Sequence, residues 1–561
     1  MLRKRSTMKI YKNILLLCTL GLFTNVFAQN DTIQKRIEVV KAYEPIVNDA
    51  FKINYLPIIN DTVKKTVRYD YELLPHHLST LFSVKPIKAA KMVGEPLDEL
   101  YNSFIRVGMG NFYTPLIEAN YHNLRSKYGS YGFDGRFLGS YGKIKLEDGS
   151  KESIGYNDSY LRAFGKRIWR DYVIGGSVKY SLAAANNYGY DAKRDVFLAV
   201  SRDDYEMSQR MNVIGGKMYV KSTHVDSTHL NYKADINYDY VSDKHSYNQS
   251  KLNVNTAFDH FWNKERVGAD IGVKVLIPNN ELDSGVTTKF KLRPWLSTYG
   301  DRWKVKAGVS IEYINTPRED KMYLYPFGNL QYNIAGDLIV PYIDVNGASD
   351  IHDYESLVRE NIYLTPGTIA EPTNNKLRMK GGLKGNLSPV VSYNFSASYS
   401  LIDNMYFFVN DFQKSPFGNS FKLIYDDVEL FTLSGHIGIN PSERLRFNLK
   451  GNYFNYKMGV QQHAWHKPDW DITLNTQYNI QDKMIFALDI YGFSSRYAMG
   501  RDVKPILLEG NIDVNFTAEY RYTPVLSFFT RLHNIAFQKY ETWNQYPVEK
   551  FGFMLGLTYK L

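Results

Sequence analysis

The side chains able to do chemistry are scattered along this chain rather than grouped. Twelve histidines are present. His76-His77 lie near the start, while His463 and His466 flank Trp465 in a stretch that reads as an exposed loop. None sits in a His-Glu-x-x-His arrangement, which would set two imidazoles on one helix face for zinc. Two acidic groups, Asp426-Asp427 with Glu429 and Asp350 with Asp353, have the charge to attract a divalent ion, but the same residues suit a solvated rim. Ser415 and Ser420 lack the Gly-x-Ser-x-Gly elbow that exposes a nucleophile. His436 and His533 fall in strand-like segments, where each could serve a rim Ser or Asp in a barrel enzyme, but a lone strand histidine is more often a lumenal or girdle residue. Gly108-Met109-Gly110 is too short for a phosphate-cradling loop and reads as close strand packing. Trp465 and Trp470 could stack on a sugar or stand at the edge of an apolar band. The expectation is a chain that is not an enzyme and holds no metal or cofactor.

What must position these residues follows from the bulk of the sequence. The chain has 561 residues, one cysteine, 45 Tyr, 31 Phe and 7 Trp. The lone cysteine excludes a disulfide framework. The aromatic excess favours β structure. Residues 1–28 read as a secretory signal: Arg3, Lys4, Arg5, Lys9 and Lys12 precede the apolar run Ile14 to Phe23, and Val26-Phe27-Ala28 suits cleavage before Gln29. The apolar run is too short to span a bilayer. Cys18 leaves with the signal, as do five basic residues and no acidic ones, so the formal charge of +10 falls to +5. Nucleic acid is therefore not an expected partner.

Beyond residue 100 the recurring pattern is alternation with a period of two. Leu230, Tyr232, Ala234, Ile236, Tyr238 and Tyr240 alternate with Asn231, Lys233, Asp235, Asn237 and Asp239. The sets starting at Trp303, Trp470 and Ile512 repeat it. These segments are longer than ordinary soluble strands, and one face of each is strongly polar. The expected fold class is all-β: a transmembrane antiparallel β-barrel over residues 101–561, apolar toward lipid and polar toward a wet lumen. About 22 segments can be marked, and counts of 18 or 20 fit the same length. Short connections, such as 167–171, 262–265, 387–390 and 522–525, alternate with longer ones at about 140–154, 185–205, 277–286, 345–376, 411–418, 458–467 and 496–504. That asymmetry, with an even strand count, places both termini on the periplasmic side of an outer membrane. The chain ends in alternation (Phe551, Phe553, Leu555, Leu557, Tyr559, Leu561). Gly556-x-x-Tyr559-x-Leu561 resembles the terminal strand signal read by barrel-assembly machinery, which makes that machinery and outer-membrane lipid the expected partners.

From about Asp337 onward the chain resembles the barrels of TonB-dependent receptor-like proteins of Bacteroidetes. The resemblance rests on Tyr354-Glu355-Ser356-Leu357-Val358-Arg359-Glu360-Asn361-Ile362-Tyr363, on Lys380-Gly381-Gly382-Leu383-Lys384-Gly385, on Ile402 to Asp411, and on Phe421 to Asp427. Arg359, Glu360 and Asn361 form the family-like loop motif within it. The resemblance implies a 22-stranded barrel. It also implies a plug domain, for which the segment between signal and barrel is too short. That segment, residues 29–100, carries ten basic and ten acidic residues and five prolines, and reads as a periplasmic extension or a filling for the lumen. Ile37-Glu38-Val39-Val40 is similar to the short box that pairs with a TonB-type partner. A barrel this wide leaks unless something narrows it. Two functions follow: a solute channel or transporter component narrowed by the extension, a loop or a partner, or a non-transporting subunit that anchors a larger envelope complex.

Overall fold

In the computed structural model the residues described are 101–561, apart from 124–125, 147–148, 150, 191–207, 225–227 and 280–284. The expected signal, the extension and the TonB-box-like Ile37–Val40 lie outside the described residues. Those described build one antiparallel sheet of 22 strands. Ser103–Gly110 pairs on one edge with Thr114–His122 and on the other with the last strand, Gly552–Lys560, in register from Phe104↔Lys560 to Gly110↔Met554. The sheet is therefore a closed barrel. Closure leaves no row of unpaired backbone groups, the condition for strands to cross a bilayer. Among the described residues no helix is long and apolar enough to cross a membrane.

Alternation sorts side chains between the two faces. In Asn231–Asp243, Ile236, Tyr238 and Tyr240 stand exposed on the outside while Asp239 is buried inside. In Trp303–Asn315, Val309 and Tyr313 face out and Glu312 is buried within. Outside is apolar and inside is charged, as lipid and a wet lumen require.

The two ends differ. At one, connections 169–171, 263–264, 300–302, 387–390, 443–444, 481–483 and 522–525 are tight. Trp169, Trp262, Tyr299, Trp303, Tyr478 and Tyr522 stand exposed beside them, a ring of amphipathic side chains suited to headgroup level. Both ends of the barrel segment meet here, where the Asn102 N–H donates to the Leu561 carbonyl. The opposite end carries the connections that follow Ser140, Asn186 and Asn279, and 351–372, 411–420, 459–469, 494–510 and 534–551. The long 534–551 connection departs from the sequence expectation. The connection expected at 496–504 is longer because it contains its own hairpin, Arg496–Met499 with Pro505–Leu508. Three connections at this end are short instead of long: 111–113, 244–247 and 316–319. In the first two, Phe112, Tyr113 and Ser246 take positive φ, the backbone a tight hairpin demands. Val391–Asn410 and Phe421–Ser442 are 20 and 22 residues long. Their register shifts between Ile402 and Met405, and the residues beyond the bulge run into the cluster of folded loops.

Candidate functional site

The long-loop end is folded inward around one short helix, α1 (Tyr354–Glu360). Its start is built by Asp353, whose carboxylate accepts from the Ser356 N–H at 3.1 Å, satisfying one of the unpaired donors of a first turn. Its end is built by Asn361, whose N–H donates to the Leu357 carbonyl at 2.9 Å. Seven residues would not hold a helix in water, so its docking must. Leu357 and Val358 pack with Met211, Val213 and Val241 of the wall. Tyr354 is buried: its N–H donates to Gln249 Oε1 at 2.9 Å, its hydroxyl donates to Asp243 at 2.8 Å, and Gln209 donates to that hydroxyl at 3.1 Å.

The charges of α1 meet a row of wall residues set by strand register. Lys179 lies opposite Gly215, Gly215 opposite Asp239, and Asp239 opposite Lys251. A Cβ on Gly215 would stand 2.1 Å from Asp239 Oδ1 and 2.7 Å from Lys179 Cε. The glycine is thus the gap across which Lys179 Nζ reaches Asp239 at 3.1 Å. Onto this row α1 lays two carboxylates. Lys251 Nζ is 2.9 Å from Glu355 and 3.3 Å from Asp353, Lys274 is 3.0 Å from Asp353, and Lys179 is 3.5 Å from Glu355. Burial alone would raise both carboxyls. The ammonium groups outweigh it, Lys251 and Lys179 at Glu355 and Lys274 and Lys251 at Asp353, and hold both below the ordinary carboxylate range.

The motif Arg359, Glu360 and Asn361 divides three ways. Arg359 donates to Glu355 at 3.1 Å and to Ser181 of the wall at 2.9 Å. Glu360 accepts from the Tyr406 hydroxyl at 2.6 Å and from Lys467 of the 459–469 loop at 3.0 Å. Asn361 is fully buried and its Oδ1 accepts from the Tyr363 N–H at 3.0 Å. The motif is the joint between wall, helix and neighbouring loop.

Above α1 the other loops close into a packed cap. Tyr363 stacks on Tyr546 at 3.6 Å between ring centroids, and Tyr188 meets Tyr546 edge-on at 5.0 Å. Asn544 donates to Asn410 at 3.0 Å. His466 is enclosed; burial drives its imidazole down to about 3. It is therefore neutral, with Nδ1 donating to the Phe408 carbonyl at 2.9 Å and Nε2 left to accept from the Asn544 N–H at 3.4 Å.

The other candidates take structural places. Asp426 accepts from the N–H groups of Asp427, Gly459, Val460 and Gln461, so it anchors the base of a loop. Asp353 belongs to the α1 network. Trp465 is buried in the cap, with Nε1 donating to Gln461 at 3.1 Å, which removes it both as a sugar platform and as a membrane-edge ring. Trp470 is exposed at the start of its strand. Among the described residues no three His, Cys, Asp or Glu side chains converge as metal ligands. Gly556 faces the lumen beneath the Phe529 ring, while Tyr559 and Leu561 are exposed. Lys179, Gly215 and Lys251 escape sequence reasoning. Each looks like an ordinary lumenal residue until register puts three strands and a distant loop together.

No family model and no curated relative matches the sequence. Solved structures do. The closed form of the ferric-catecholate import receptor Fiu from E. coli K12 superposes with a TM-score of 0.62 at 8% identity, covering 83% of this chain and 82% of that one. The FrpB iron transporter from Neisseria meningitidis gives 0.62 at 11%, covering 83% of both chains. The copper transporter OprC gives 0.59 at 11%, covering 82% of this chain and 80% of that one. This chain has their fold. At such identities the likeness speaks for the 22-stranded architecture and for nothing about ligand.

Proposed function

We propose that this chain is an outer-membrane conduit, a solute channel or transporter component, with its lumen narrowed by the folded 351–372 segment and by residues 29–100. The observation that carries the reading is the pinning of α1 to the lumenal face of a 22-stranded wall. A barrel used only as an anchor has no need of a charged segment bound to its inner face. Both termini lie on the periplasmic side in this reading, and residues 29–100 remain the place for a periplasmic or TonB-type partner through Ile37–Val40. The fold of Fiu, FrpB and OprC supports a transporter-type barrel. Conductance of the purified barrel in planar bilayers tests it. Deleting residues 29–100 should raise single-channel conductance severalfold. No conductance in either form, together with stoichiometric recovery of a periplasmic protein, would replace the conduit by the anchoring subunit.

A further inference from the structure

The wall beneath α1 is short of negative charge. At several other lumenal positions it pairs its own groups one to one: Arg106 with Glu118 at 3.3 Å, Arg162 with Asp134 at 2.8 Å, and Arg266 with Asp259 at 2.6 Å, whereas Lys289 and Lys291 share Glu312 at 3.0 and 3.8 Å. Lys179, Lys251 and Lys274 have one wall carboxylate among them, Asp239. Their remaining counter-charges, Asp353 and Glu355, come from an inserted loop. If α1 were lifted away, the wall would present these three ammonium groups to the lumen with Asp239 as their only ion-pair partner among the described residues, beside Asp243, which would lose the Tyr354 hydroxyl.

We infer that Lys179, Lys251 and Lys274 form a lumenal binding site for a small solute bearing two carboxylates, occupied in this structure by Asp353 and Glu355 as an intramolecular competitor. Three observations carry this. The two carboxylates converge on one ammonium, 3.3 and 2.9 Å from Lys251 Nζ, so a dicarboxylate reproduces the contact without the helix. The site is within reach of solution: the side chains of Lys179 and Lys274 keep 37% and 26% of their exposure. A desolvated ion cluster between wall and loop is a weak source of net stability and a good source of register and switching. A solute that replaces the two carboxylates leaves the wall lysines paired and frees the segment. The same contacts thus recognise the solute and release α1, and the apparent affinity is lowered by the fraction of time that α1 holds the site.

The inference rests on the conduit reading for its biological sense and names the solute class. Its test is kept separate by measuring binding instead of conduction. Full-length protein in detergent would be titrated calorimetrically with succinate, with succinamide as the uncharged control. D353N/E355Q removes the competing charges and keeps an asparagine able to cap α1. Its succinate affinity should rise at least tenfold over the unsubstituted chain, with no binding of succinamide, and adding K251M should abolish it. Equal or absent succinate binding in the two forms, or binding that survives K251M, overturns the inference. If D353N/E355Q fails to show the gel shift on boiling of a folded barrel, amide exchange of residues 353–361 in the unsubstituted chain decides. Excess succinate should lower their protection, and unchanged protection overturns the inference. Binding without conductance would overturn only the conduit; conductance without binding would overturn only the site.

Discussion

At the scale of single residues, two adjacent glycines separate what the lumenal wall requires from what it tolerates. Gly215 holds the gap between Lys179 and Asp239, whereas a Cβ on its neighbour Gly216 meets nothing within 4 Å. Gly215→Ala should destabilise the barrel by about 1–3 kcal/mol through overpacking, and Gly216→Ala should stay within about 0.5 kcal/mol. Urea unfolding midpoints in detergent would compare them; equal effects would show that the Lys179–Asp239 contact does not depend on that gap. Glu549 supplies a second test in the cap. Burial raises its carboxyl above the ordinary range, and the hydroxyl of Ser140, donating at 2.9 Å, offsets this only in part. A raised acid favours its neutral form when folded. The penalty is absent below the ordinary carboxylate range and grows as pH rises through the native value. Glu549→Gln should therefore raise the thermal midpoint at neutral pH and lose that advantage in acid. An advantage independent of pH would mean that ionisation is not what strains the site. Neither residue announces itself in the sequence. Gly215 follows Ile214 in an ordinary alternating run, and Glu549 sits in a connection that no pattern marked as long.

At the scale of elements, the strands and the places of most long connections were legible, and the way those connections fold was not. Period-two alternation comes from the pleat and from a fixed choice between lipid and water, so Ile236, Tyr238 and Tyr240 reveal their face without knowledge of their neighbours. Helix α1 has no such local cause. Its seven residues are held by Gln249, Lys251 and Tyr247, roughly a hundred positions earlier in the chain. The resemblance around Tyr354–Tyr363 marked the segment but could not say that it folds against the wall. The docking has a predictable pH dependence. The Asp353 and Glu355 carboxyls lie below their ordinary range when folded, so their contribution is complete above about pH 4, where the unfolded groups ionise, and is lost as pH falls through the native values. Amide protection of residues 353–361 should be high at neutral pH and collapse in acid while strand amides stay protected. Glu355→Gln should lower the protection about tenfold at neutral pH, equivalent to about 1.4 kcal/mol for a lost charge-assisted pair. Protection that follows the strands through acid would assign the docking to Leu357 and Val358 instead.

At the scale of the whole molecule, the terminal strand closes the barrel, and if Gly556, Tyr559 and Leu561 also act as the assembly signal their spacing resembles, its two faces divide the work. Gly556 points inward. A Cβ there would lie 2.3 Å from the Val107 carbonyl oxygen and 2.4 Å from the Phe529 ring, directly in the seam that joins first strand to last. The backbone cannot yield there without breaking the ladder that closes the sheet. Tyr559 and Leu561 point outward and are exposed, so closure asks little of them beyond backbone pairing. Gly556→Ala should therefore impair refolding of the purified chain into detergent, read as loss of the mobility shift on boiling, and should impair insertion in cells to the same degree. Tyr559→Ala with Leu561→Ala should leave detergent refolding intact while reducing the amount in the outer membrane, because only the cellular route has to recognise those side chains. If the double variant fails in both settings, its side chains belong to the closed sheet and not to a recognition signal. If it succeeds in both, the likeness of the last strand to an assembly signal has no physical consequence here.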